Sequence, residues 1–193
     1  MKYGIDANIA LPPFSAIISI LLIVACDYIG LYVINNYLKI NFKKIKWIRW
    51  QSPIIGVALL SVIIYPMALI GIAHRSELRL IAMLMIAVSF LHILKFFKYN
   101  FRPLISSISK RGSRFFVRDS LSAIVVVLMT GYALLALAPA TSADTLDYHI
   151  GVPIEILNTG FIHATPEWFH SRLSGNGEAL NALGLSVGAE QFG

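Results

Sequence analysis

The sequence predicts an all-α, polytopic transmembrane protein, and three observations carry that prediction. Of its 193 residues, 57% are hydrophobic and only 13% are charged, against about 45–50% and about 25% in soluble domains. The apolar residues gather into runs long enough to cross a hydrocarbon core of about 30 Å, which takes about 20 helical residues. The runs do not alternate with period two, as the strands of a membrane barrel do.

Four runs qualify as complete spans. The first is Ile9 to Ile34, interrupted only by Asp27. An aspartate in a span either faces a bundle interior or marks the interface, and both readings stay open here. The second run is Ile54 to Ala73, where Pro66 is tolerable because membrane helices accommodate proline. The third is Leu78 to Phe97, with His92 and Lys95 near its end. The fourth is Leu121 to Ala138.

The net charge is +6, and the basic residues flank the apolar runs. That placement makes the lipid bilayer with its anionic headgroups the expected partner, and no nucleic acid is expected. Lys39, Lys43, Lys44, Lys46 and Arg49 lie between the first two spans, and Lys98, Arg102, Lys110, Arg111, Arg114 and Arg118 between the last two. Of the lysines and arginines, only Arg75 and Arg79 lie around the junction of the second and third spans, and Arg172 is the one basic residue after the fourth. The positive-inside rule therefore puts loops 35–53 and 98–120 in the cytoplasm and the N-terminus and residues after 138 outside. A cleaved signal peptide ending before Cys26 would reverse this pattern, and no basic segment precedes it. The single cysteine allows no internal disulfide and reads as a small apolar filler.

The organisation that follows is a four-span region over 1–138, an extracytoplasmic loop over 139–177, and a further helix beginning in 178–193. In the loop, Ile150, Pro153, Ile154 and Leu157 can share a stripe, which predicts an interfacial helix over 145–158 that Gly160 stops. Pro153 weakens this helix by removing a donor. Trp168 and Phe169 suit an interfacial position. Glu178 to Gly193 reads as the opening of a fifth span, which implies the N-terminal part of a longer protein; a short re-entrant or surface helix is the other reading.

The densest polar cluster, Ser142 to His149, follows directly on the fourth span. A carboxylate there can accept a proton from an attacking hydroxyl, join a cation site, or cap a helix. The residues alone leave all three open. No cofactor is identified; a divalent cation is the candidate, with Asp144 and Asp147 as the residues to hold one.

The block Asp144-Thr145-Leu146-Asp147-Tyr148-His149, followed by Pro153 and by Ile156 to Gly160, resembles the first outer loop of the GT-C glycosyltransferases. These membrane enzymes, the protein mannosyltransferase-like superfamily among them, use polyprenyl-phosphate-linked sugars. The resemblance covers about fifty residues. It implies a bacterial-type inner-membrane transferase of the cell envelope, inverting, with a polyprenyl-phosphate sugar as donor and Asp144 as the catalytic base or its organiser. Asp147, Tyr148, His149, Arg172 and Glu178 would bind substrate, with Arg172 meeting the departing phosphate. Solvation of Arg172 and helix capping by Glu178 are the alternatives. Two departures stand: Thr145 replaces the usual glutamate, and the aspartate follows the fourth span rather than the first. The 193-residue portion alone is expected to be inactive. A transporter or flippase, which would use Asp27, His92 or Lys95, and a non-catalytic membrane scaffold are the competing functional classes.

Overall fold

A computed structural model describes residues 11–38, 51–111, 120–135, 145–162 and 175–192. The long elements are α1 (Pro12–Asn36), α2 (Ser52–Leu69), α3 (Arg75–Arg111) and α4 (Ser120–Leu135). A π-helical turn at Thr145–Gly151 leads into α5 (Val152–Thr159), and α6 (Asn176–Ser186) is followed by a 3-10 turn at Glu190–Phe192. Among the described residues there is no strand, so the protein is all-α.

Among the described residues, three helices are long and apolar enough to cross a membrane: Pro13–Asn36, Ser52–Leu69 and Arg75–Leu94. Their side chains are sorted as a bilayer sorts them. Phe14, Ile17, Ile20, Ile54, Val62, Leu80, Leu84 and Phe90 all face outward. The seams between helices instead take small and hydroxyl residues: Ser15, Ser19, Ala25, Cys26, Ser52, Ala68, Ala82 and Ser89 are buried. In water this arrangement exposes far too much apolar surface. In lipid it is favourable, because helices associate there through close backbone packing and interhelical hydrogen bonds.

The buried residues of α2 are Ser52, Gly56, Leu60, Ile64 and Ala68, every fourth residue, so the contact stripe follows the four-residue ridge. Gly30 and Gly56 allow α1 and α2 to touch backbone to backbone, Gly30 against Ser52 and Gly56 against Cys26. Cys26 is thus a buried filler in the middle of an unbroken helix. Beside it, the Ser52 hydroxyl donates to the Asp27 carboxylate. Asp27 therefore lies on the α1–α2 seam, level with the first residue of α2. The Ser89 hydroxyl of α3 reaches the Leu21 carbonyl of α1 and also its own helix at Met85, 3.0 Å away.

One boundary extends the sequence reading. The helix through the third span does not end at Phe97 but runs to Arg111, 37 residues in all, or about 55 Å. The polar composition of 98–111 suggests a loop, yet no glycine occurs between Gly71 and Gly112, and the helix also accommodates Pro103. At the expected fourth span, the described helix α4 has 16 residues. Its Ile124, Val127, Leu128, Met129, Tyr132 and Leu134 are exposed, as in a helix facing lipid.

Candidate functional site

The start of α1, the end of α2 and the start of α3 lie at one end of the bundle, and residues 145–162 and 175–192 pack at that end. Before Pro153 the backbone winds as a π turn, and Pro153 then falls within the first turn of α5. Its missing donor costs little there, because first-turn N–H groups have no partner inside the helix. The expected helix over 145–158 is therefore present as two windings joined just ahead of the proline.

Gly160 ends α5 in the left-handed region, at φ 76°. Its carbonyl accepts from Ala73 N–H at 3.0 Å, and Ile162 N–H donates to the Ala68 carbonyl at 2.8 Å. These bonds clamp the segment onto the turn between α2 and α3. Val152, Ile156 and Leu157 complete the seal by joining the core of α1, α2 and α3.

The helix α6 enters the same end. Ala179, Ala182 and Leu183 are buried in the core cluster. At its start, Glu178 Oε2 accepts from the Gly175 N–H at 2.8 Å, which supplies the cap that one reading of Glu178 requires. At its end, the Arg79 Nε–H donates to the Ser186 carbonyl at 3.0 Å. The chain then turns, and Glu190 N–H donates to the Ser15 hydroxyl of α1 at 2.9 Å. The helix is 11 residues long, and with the turn that follows it ties α1 to α3 across the end of the bundle. Arg79→Met keeps the aliphatic stem and removes the donor, leaving a partly buried carbonyl to find another. It is expected to cost about 1–3 kcal/mol, read as a lower melting temperature in detergent.

The candidate site is where the π turn meets α6. His149 lies in the turn with its side chain 47% exposed, and its Nδ1 is 3.7 Å from Oε1 of Glu178, whose side chain is 7% exposed. The His149 carbonyl accepts from Asn181 Nδ2 at 3.2 Å. One face of α6, one turn long, thus bonds the His149 main chain and sets a carboxylate oxygen beside its ring. The Tyr148 ring packs at 4.7 Å from the imidazole, tilted by 48°, and Tyr148 also leans on the core.

Of the residues singled out from sequence, the structure brings together Tyr148, His149 and Glu178. Asp147 is described in its backbone only, within the π turn. Asp144 and Arg172 lie outside the described residues, as do His163 and His170. Asn181 and Arg79 were not singled out. The one available signal was the three-residue spacing of Asn181 from Glu178, which puts both on one helical face. Among the described residues no three His, Cys, Asp or Glu side chains group as a metal site. Away from this end, the His92 ring packs on Tyr28 at 5.1 Å, so both it and Asp27 are engaged on the faces of α1.

No curated protein and no solved structure matches the chain. The DUF1420 N-terminal domain matches residues 1–113 and 101–193, and on that match the chain belongs to this family.

Proposed function

We propose that this protein is the N-terminal part of a GT-C-type glycosyltransferase of the inner membrane, acting on the extracytoplasmic face. The observation that carries the reading is the convergence of its two site segments. The Asp144–His163 block and Glu178 are separated by a stretch of chain, yet His149 and Glu178 meet at the end of the bundle where α2 passes to α3. The basic cluster of 39–49 follows the far end of α1 and that of 98–118 begins within the far part of α3, and the positive-inside rule makes their side cytoplasmic.

In this reading a polyprenyl-phosphate-linked sugar is presented at the outer end. An acceptor hydroxyl attacks the anomeric carbon from the face opposite the phosphate. The bond from that carbon to the phosphate oxygen breaks, and the phosphate leaves with the electron pair. Asp144 takes the proton of the attacking hydroxyl, and Arg172 steadies the departing charge.

The test is sugar transfer from a polyprenyl-phosphate donor by the full-length protein in proteoliposomes. Asp144→Ala is expected to assemble normally and to lose at least about 100-fold in rate, the scale of a missing general base. Undiminished transfer by that variant removes Asp144 from the mechanism and with it the assignment.

A further inference from the structure

Glu178 is 5% exposed, and a carboxylate in such a place needs fixed partners. One oxygen, Oε2, is pinned by the Gly175 N–H at 2.8 Å. That contact sets the rotation of the carboxyl group and aims Oε1 at His149 Nδ1, 3.7 Å away. His149 is equally constrained. Its carbonyl is held by Asn181, one turn along α6 from Glu178, and its ring is flanked by Tyr148. It sits in a π-helical turn, a winding that recurs at functional sites. The rest of the imidazole is open, since the side chain is about half exposed.

A neutral imidazole with Nδ1 facing a carboxylate carries its proton on Nδ1, which leaves the Nε2 lone pair free. We propose that Glu178 is a positioning residue: it holds the His149 ring through Nδ1, so that Nε2 accepts a hydrogen bond from a hydroxyl of a polyol substrate. This assigns Glu178 a place behind His149 rather than on the substrate. It rests on the outer-face transferase reading and deepens it. The separation of 3.7 Å is longer than a hydrogen bond, and such pairs commonly tighten when the substrate binds. The hydroxyl belongs either to the donor sugar or to the acceptor.

Glu178→Gln separates positioning from structure. The amide oxygen still accepts from Gly175 N–H, so the cap and the fold are retained, whereas the amide NH2 now faces Nδ1. Full-length protein in nanodiscs, with histidine labelled by 15N, reports the tautomer of His149, assigned by loss of its signal in His149→Ala. The expected result is an Nδ1–H tautomer in the wild type and its replacement by the Nε2–H form in Glu178→Gln. In the transfer assay, Glu178→Gln is expected to raise KM about tenfold for the substrate that carries the hydroxyl; a change in the donor's KM or in the acceptor's identifies which it is. In a His149→Ala background the same substitution is expected to have no further effect. An unchanged tautomer in Glu178→Gln overturns the proposal, and so does an equal loss in both backgrounds. If the wild type transfers no sugar, the transferase reading fails, while the tautomer spectra still decide whether Glu178 orients His149.

Discussion

Gly56→Leu is expected to prevent α1 and α2 from closing, and Gly56→Ala to weaken the pair measurably. A Cβ at Gly56 lies 1.9 Å from the Cys26 carbonyl oxygen and 2.7 Å from its Cα. Both are backbone atoms, so no rotamer change relieves the clash. The helices must part by about 1–1.5 Å to restore ordinary contact, loosening the Ser52–Asp27 bond and the stripe from Leu60 to Ala68. Overpacking of this kind costs about 1–3 kcal/mol for the first added carbon, and more for a full leucine. The measurement is unfolding in mixed micelles by titration with SDS. Gly131→Ala in α4 is the control, since a Cβ there meets nothing within 4 Å. It is expected to be neutral or slightly stabilising through helix propensity. Gly30→Ala is expected to resemble Gly56→Ala, because its Cβ falls 1.9 Å from the Ser52 carbonyl oxygen. The double variant should cost less than the sum, since one separation of the helices relieves both clashes.

The class of the protein was legible in the sequence because length and hydropathy are sufficient for it. Runs such as Ile54 to Ala73 have no alternative in water, and a helix is what satisfies their backbone in lipid. The seam was harder to see. In a span almost every residue is apolar, so periodicity is weak, and the buried stripe is distinguished by size rather than by hydropathy. The spacing of Cys26 from Gly30 and of Ser52 from Gly56 carries the small-xxx-small pattern that brings helices together. Read singly, Cys26 was only a filler, and its partner across the seam is a long-range fact. Asp27 shows the same limit: its place in the first run was visible, but the Ser52 hydroxyl beside it was not.

At the candidate site, Tyr148, His149 and Glu178 stood out one at a time through their position after a span and their resemblance to a known block. Their meeting depends on where α6 goes. By hydropathy, residues 178–193 open a further span. In the fold, α6 stops at Ser186 and the chain turns back, because Gly184 leaves room for Ala189 and Phe192 to fold over it. The bonds from Arg79 to Ser186 and from Glu190 to Ser15 hold the helix in place, and neither has a local sequence signature. Glu178 was legible as a cap from its place at the head of an apolar segment. Its second oxygen facing His149 follows from tertiary packing alone.

Gly160→Ala is expected to undock the segment formed by the π turn and α5 while leaving the three-helix seam intact. Two costs combine at this position. The residue sits at φ 76°, where an L side chain is strained by about 1–2 kcal/mol. The new Cβ would also fall 2.6 Å from His74 Cε1 and 2.8 Å from the Gly71 carbonyl oxygen. Together these are expected to cost about 2–4 kcal/mol. Gly71→Ala separates the two contributions. It shares the left-handed backbone, at φ 81°, but its Cβ would meet only Phe161, at an ordinary 3.7 Å. It should therefore show the backbone strain and little else. The readout is hydrogen exchange at the Ala73 and Ile162 amides, which donate across the junction. Gly160→Ala should speed exchange at both, by about tenfold for each 1.4 kcal/mol of local opening, with Gly71→Ala producing the smaller change. Adding His74→Ala to Gly160→Ala should recover part of the loss by removing the ring. The Gly71 carbonyl contact remains, so recovery should be incomplete. Equal exchange in Gly160→Ala and Gly71→Ala would mean that the close approach to His74 does not exist.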